Sequence, residues 1–145
     1  MDLTSAITFA RTTTHSVLVT IRRDGRPQLS NVLHQIEDDG TIRISSTAMR
    51  AKFRNLARQP WAALHVTRED FYAYVVIEAD VTIMPFTQSP GDATSDALLD
   101  HYRALMGEPE DEAAFRASQV ADGRSLALLT PTRAYGMLQL PTSGE

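Results

Sequence analysis

Cysteine is absent from the 145-residue chain, which excludes disulfides, thiolate metal ligands and thiol nucleophiles together. Lysine is almost absent: of 14 basic residues, 13 are arginine and one, Lys52, is lysine. That bias is the habit of a GC-rich genome, and it makes the position of Lys52 conspicuous. No segment approaches the 18 or so apolar residues of a membrane span, and "MDLTSAITFARTTTHS" has no apolar run fit for a signal peptide. A cytoplasmic protein with no membrane partner is expected. The net charge of −4 leaves no broad basic footprint, so nucleic acid is not an expected partner. Walker loops, G-x-G-x-x-G, G-x-S-x-G and H-E-x-x-H are all missing, and with them the simplest signatures of phosphate transfer, hydrolysis and zinc proteolysis.

What is present is ordinary globular material, 43% hydrophobic and 22% charged, in a length that suits one domain spanning 1–145, with 139–145 as a frayed tail. Leu3, Ala6, Ile7 and Ala10 give 2–14 a helical spacing. "SVLVTIR" (16–22), "QLSNVLHQI" (28–36) and "TIRIS" (41–45) read as a β-meander joined by "DGRP" and "EDDG" turns. The period then changes. Met49, Phe53 and Leu56 predict a helix over 47–58, capped by Ser46 or Thr47 and closed by Pro60. Strands are expected at 61–66 and 71–84, helices over 92–107 and 109–123, and two closing strands at 125–131 and 133–138. The order is that of an α+β, mainly β chain: a six- to seven-stranded antiparallel barrel with flanking helices.

One stretch concentrates the basic residues. In "SSTAMRAKFRNLARQP" (45–60), Arg50, Lys52, Arg54 and Arg58 follow three hydroxyl side chains. At a helix N-terminus, free amides, Ser45, Ser46 and Thr47, the planar fork of Arg50 and the point charge of Lys52 make a phosphate pocket. A solvated face repeating at Arg50, Arg54 and Arg58 explains the same residues equally well. Gln28 and Asn31 in "DGRPQLSNV" carry the donors and acceptors to read a heterocycle edge, or are simply exposed hairpin residues. His15, His34, His65 and His101 lack ligand spacing, although His34 and His65 could meet across strands; no metal site is expected. The carboxylates Asp92, Asp96, Asp100 and Glu108–Glu112 read as a solvating set. Glu78, within the apolar "VVIEAD", needs an arginine partner if buried.

"DGRPQLSNV", "RAKFRNLARQP", "YAYVVIEAD", "ALLDHYRALMGE" and "VADGRSLALLTPTRAYG" together resemble the B group of actinobacterial deazaflavin-dependent oxidoreductases, within the pyridoxamine 5'-phosphate oxidase-like superfamily. The resemblance covers residues 5–138. It implies an FMN-binding-type split β-barrel homodimer with two cofactor sites at the subunit interface. The implied cofactor is F420, an 8-hydroxy-5-deazaflavin, with FMN as the alternative. By the same resemblance Ser45, Arg50 and Lys52 match phosphate contacts, and Gln28, Arg26, Pro27 and Asn31 the segment beside the ring. Tyr74 and Val76 match positions facing the ring from the other subunit. The implied activity is hydride transfer from reduced F420 to an electron-poor small molecule such as an enone, quinone or tetrapyrrole-like pigment. Alternatives are an FMN-dependent oxidoreductase and a non-catalytic F420 carrier. No catalytic side chain is assigned, because the cofactor carries the hard chemistry. Two departures stand out: the C-terminal substrate-binding Arg and His of true pyridoxamine phosphate oxidases have no counterpart, which argues against vitamin B6 oxidation. Met49 also replaces a common proline.

Overall fold

The computed structural model describes residues 1–139. Helix α1 (Leu3–Ala10) is capped by Asp2, whose carboxylate accepts from the Ser5 amide at 2.8 Å. Then come β1 (His15–Ile21), β2 (Pro27–Leu33), β3 (Gln35–Ile36) and β4 (Ile42–Thr47). Helix α2 (Ala51–Arg58), β5 (Trp61–Thr67) and β6 (Tyr74–Ile83) follow. Helices α3 (Ala93–Met106) and α4 (Glu112–Ala121) and the long β7 (Arg124–Met137) complete the elements among the described residues.

The seven strands form one antiparallel sheet in the order β2-β1-β5-β6-β7-β4-β3, curled into a half-barrel of the expected split-barrel type. Strands β2 and β3 stand at opposite edges of that sheet, yet only His34 separates them in the chain. The covalent link draws the two edges together and closes the curl. The run expected as one strand over 28–36 therefore splits at His34, which turns its side chain inward. His34 Nδ1 meets Ser16 Oγ at 2.7 Å and Nε2 meets the Ala10 carbonyl at 2.9 Å. His65 faces the other way, pairing with Val17 in the ladder, its ring 5.6 Å from that of Tyr74. The two histidines do not meet, because Ser16 and Val17 point to opposite faces of β1.

Alternation sets the faces. Leu18, Ile44, Leu64, Ile77 and Leu129 enter the core, joined by Phe53 and Leu56 from α2. Phe53 is 1% exposed, and its loss would cost about 3–5 kcal/mol; it anchors the helix that carries Lys52. The segments expected as separate strands at 125–131 and 133–138 are one. Pro131 lies opposite Ala79 at the register shift between Glu78 and Ala79, where the ladder tolerates a residue without an N–H. Glu78 is only partly buried, and its carboxylate lies 3.2 Å from the exposed Arg133 guanidinium.

The start of α2 also differs from expectation. Strand β4 runs on to Thr47 with strict alternation, and Arg50, not Ser46 or Thr47, is the N-cap residue. Ser46 is committed to the buried face, and the ladder partners Ser125 and Arg124 hold Ser46 and Thr47 extended. Met49 lies before the helix and is 80% exposed rather than on its apolar seam.

Candidate functional site: a cationic groove between sheet edge and helical hairpin

The alternation that buries Ile42, Ile44 and Ser46 turns Arg43, Ser45 and Thr47 away from the core. Register then does what sequence distance hides. Thr47 pairs with Arg124 and Ser45 with Leu126, so the first residue of β7 arrives beside β4. Arg124 Nη1 donates to Ser45 Oγ at 3.2 Å. Helix α2 brings Lys52 to the same place. No side chain caps the start of α2; the Phe53 amide donates to the Arg50 carbonyl at 3.1 Å, which leaves the Ala51 and Lys52 amides to meet an anion.

Ser45, Lys52 and Arg124 line one end of a groove of about 510 Å³, within the range of small-molecule sites. Burial pushes the Lys52 ammonium below the usual lysine value, with the positive charges of Arg50 and then Arg124 adding to the effect. Among the described residues, neither Lys52 nor Arg50 has a carboxylate within ion-pair distance. Arg124 has only Asp122 at 3.8 Å. Three cations are thus gathered with almost no internal counter-charge.

The groove's other walls are mixed. Helix α3 contributes Leu98, His101, Tyr102 and Leu105, and α4 contributes Phe115 and Gln119. The two helices hold together through Tyr102 and Phe115, whose ring centroids are 4.6 Å apart, and through Arg103–Glu112 and Arg116–Asp96 ion pairs at 3.1 and 2.8 Å. The carboxylates expected merely to solvate these helices include both N-caps, Asp92 and Asp111, which accept from the Ser95 and Ala114 amides. Asn31 and Leu33, from the edge strand β2, form the remaining side.

The residues singled out from sequence are distributed unevenly. Ser45, Lys52 and Asn31 line the groove. Arg50 is exposed at the start of α2, beside Lys52 but not on the groove wall. Arg54 is exposed, lining a separate apolar cleft near Phe86. Arg58 is not merely solvated, because it donates to the Ile21 carbonyl at 2.8 Å and to Asn55 at 3.1 Å, tying α2 to β1. Arg26 and Pro27 lie at the β1–β2 turn, and Gln28 pairs with Thr20 on the side where α2 packs through Asn55. Tyr74 and Val76 sit on β6, on the outer sheet face with His65, Tyr135 and Met137, away from the groove within one protomer. Sequence reasoning missed Arg124 and His101. Arg124 follows the "DG" turn at a strand start, a signal that only the β4–β7 register turns into a site. Among the described residues no three His, Asp or Glu side chains gather as a metal site, and no helix is long and apolar enough to cross a membrane.

A family model described as pyridoxamine 5'-phosphate oxidase matches residues 7–138. Among solved structures, the chain resembles an F420 reductase at 26% identity and a TM-score of 0.62, over 88% of this chain and 94% of that one. A pyridoxamine 5'-phosphate oxidase-related, FMN-binding protein from Nostoc punctiforme aligns at 19% identity and a TM-score of 0.64, covering 92% and 81%. A heme-binding protein from Mycobacterium smegmatis aligns at 22% identity and a TM-score of 0.68, covering 93% of this chain and 53% of that one.

Proposed function

The chain belongs to the pyridoxamine 5'-phosphate oxidase family, and on that premise we propose that it is an F420-dependent oxidoreductase, acting as a reductase of an electron-poor small molecule. The observation that carries the reading is Lys52 and Arg124 at the head of a groove with apolar and aromatic walls, with Arg50 beside Lys52 and almost no internal counter-charge among the three. A phosphate ester bearing a flat ring system supplies what that arrangement lacks. Its anionic oxygens would take hydrogen bonds from Ser45, Lys52, Arg124 and the first amides of α2. Asn31, on the sheet edge, is placed to read a polar ring edge, and Gln28, Arg26 and Pro27 extend the same strand toward the turn. When bound, reduced F420 supplies a hydride; the chain's part is to orient the ring, exclude water and neutralise the phosphate. The likeness to an F420 reductase supports the deazaflavin reading; FMN offers the same phosphate chemistry and is the second reading, supported by the FMN-binding relative.

We further propose that the working unit is a homodimer. The outer sheet face leaves Leu29 and Leu33 exposed on the edge strand β2, and Tyr135 and Met137 exposed on β7, with β1, β5 and β6 between them. Apolar surface of that kind on a sheet face calls for a partner, and a second copy with two-fold symmetry is the simplest. Asn31 and Leu33 belong both to this face and to the groove. The groove therefore opens at the edge of the interface, where Tyr74 and Val76 of the partner could approach the ring.

Titration of the purified protein with F420 and with FMN, read by calorimetry, tests the assignment. Saturable F420 binding stronger than FMN binding is expected. Tight FMN binding with no response to F420 would replace the deazaflavin by the flavin, and no binding of either would end the reading. Binding of F420 without oxidation of its reduced form by enones, quinones or biliverdin would leave a carrier instead of an enzyme.

A further inference from the structure

His101 is 5% exposed and lies on α3 in the wall of the cationic groove. Its Nδ1 lies 3.2 Å from Gln35 Oε1. An amide oxygen can only accept, so the ring proton sits on Nδ1 and Nε2 carries a lone pair. Nε2 has no hydrogen-bond partner among the described residues, nor is it one of the buried polar atoms sealed without a partner. It therefore opens toward the groove. The histidine is held neutral as well: burial, and then the Arg43 guanidinium, lower it to about 4. Arg43 sits opposite Gln35 in the β3–β4 ladder and is engaged by Glu37.

His101 Nε2 is an accessible acceptor without a protein partner, in a groove whose lining also holds the donors Ser45, Lys52 and Arg124 and one carboxylate, Asp122, which lies 3.8 Å from Arg124; a ligand O–H or N–H can complete it. Resting on the reading of the groove as a cofactor site, we propose that His101 is a ligand-binding residue: its Nε2 accepts a hydrogen bond from an O–H or N–H of the bound phosphate-bearing molecule. Ser45, Lys52 and Arg124 take the anionic end, and His101 selects for a donor further along the ligand. Gln35 is the positioning residue that fixes the tautomer. The groove then distinguishes a phosphate carrying a donor-bearing chain or ring from a bare phosphate or an alkyl phosphate, which the cationic end alone would hold equally well.

The experiment compares wild type, His101→Leu, His101→Gln and Lys52→Met by calorimetric titration with F420, FMN and inorganic phosphate. Circular dichroism and thermal unfolding verify each fold. For the cofactor that binds, His101→Leu should weaken affinity about three- to tenfold, the worth of one hydrogen bond. His101→Gln, which can place Oε1 where Nε2 stood, should recover most of it. Affinity for inorganic phosphate should be unchanged in both. In the ¹⁵N spectrum of labelled wild-type protein, the Nε2 resonance of His101 should move upfield on cofactor addition. If Lys52→Met weakens cofactor binding while His101→Leu does not, or if Nε2 stays put, the role of His101 is wrong and the groove reading stands. If no cofactor binds to wild type, both fall. If His101→Leu unfolds, rescue by His101→Gln and the wild-type resonance still decide.

Discussion

Replacing Lys52 by methionine keeps the apolar stem and removes only the charge. In the free protein, Lys52 is partly buried beside Arg50 and Arg124 and has no carboxylate partner, so its charge is held at a cost. The sign follows from the lowered pKa: the folded state binds the proton less readily than the unfolded one, so this residue opposes folding at neutral pH. Its penalty fades as pH rises through the lowered folded value. Because the side chain is largely solvated, screening keeps that cost within about 1 kcal/mol. Lys52→Met should accordingly leave the melting temperature unchanged or raise it by up to roughly 3 °C. Ligand binding should respond in the opposite direction. A charge-assisted hydrogen bond to phosphate contributes about 1.5–3 kcal/mol, so affinity for F420 should fall roughly ten- to a hundredfold. Differential scanning fluorimetry and calorimetric titration of the same preparations read both quantities. A residue whose loss weakens binding while sparing or improving the fold is held for its ligand. A fall of several degrees with unchanged affinity would make Lys52 structural and refute the reasoning.

Two further outcomes are expected. Leu29→Glu combined with Tyr135→Glu puts four carboxylates into a two-fold interface, and sedimentation should show a dimer in wild type and a monomer in the variant; a monomeric wild type rules out the interface. Asp92 is held down to about 2 by the Gln88 and Ser95 amides, with the Thr87 hydroxyl and Ser89 amide assisting. Its contribution is complete above the unfolded value of 3.8 and is lost as pH falls toward 2. Asp92→Asn should therefore flatten the acid limb of the stability curve in that window, and an unaltered limb by urea titration would contradict it.

The sheet was legible in the sequence wherever one face is wet and the other buried, as in β1 and β4, because period-2 alternation records that directly. The β4-to-α2 junction was misplaced for a specific reason. Ser45, Ser46 and Thr47 are good caps by type, but the ladder to β7 had a prior claim on their backbone. Pro131 looked like a break between strands, because nothing local announces a register shift on the neighbouring strand. The basic end of the groove was half visible, since Ser45 and Lys52 are close in sequence. Arg124 and His101 join it only through β7 pairing with β4 and α3 lying over β3, contacts that no local pattern encodes.

Strand β7 has one more consequence, for how the molecule comes into being. It is the last of the described strands and also a central one, bonded to β6 on one side and to β4 on the other. Until residues 124–137 emerge during synthesis, β3 and β4 can pair only with each other, and the ladder that brings Arg124 to Ser45 has not begun. Pairs such as Ile42 with Leu129 close loops spanning most of the chain, which slows folding. The nascent chain must therefore wait, its half-sheet edges open, and the anion-binding end of the groove is assembled in the same event that completes the barrel. A translation product truncated before β7 would lack Arg124 and the ladder that brings it to Ser45.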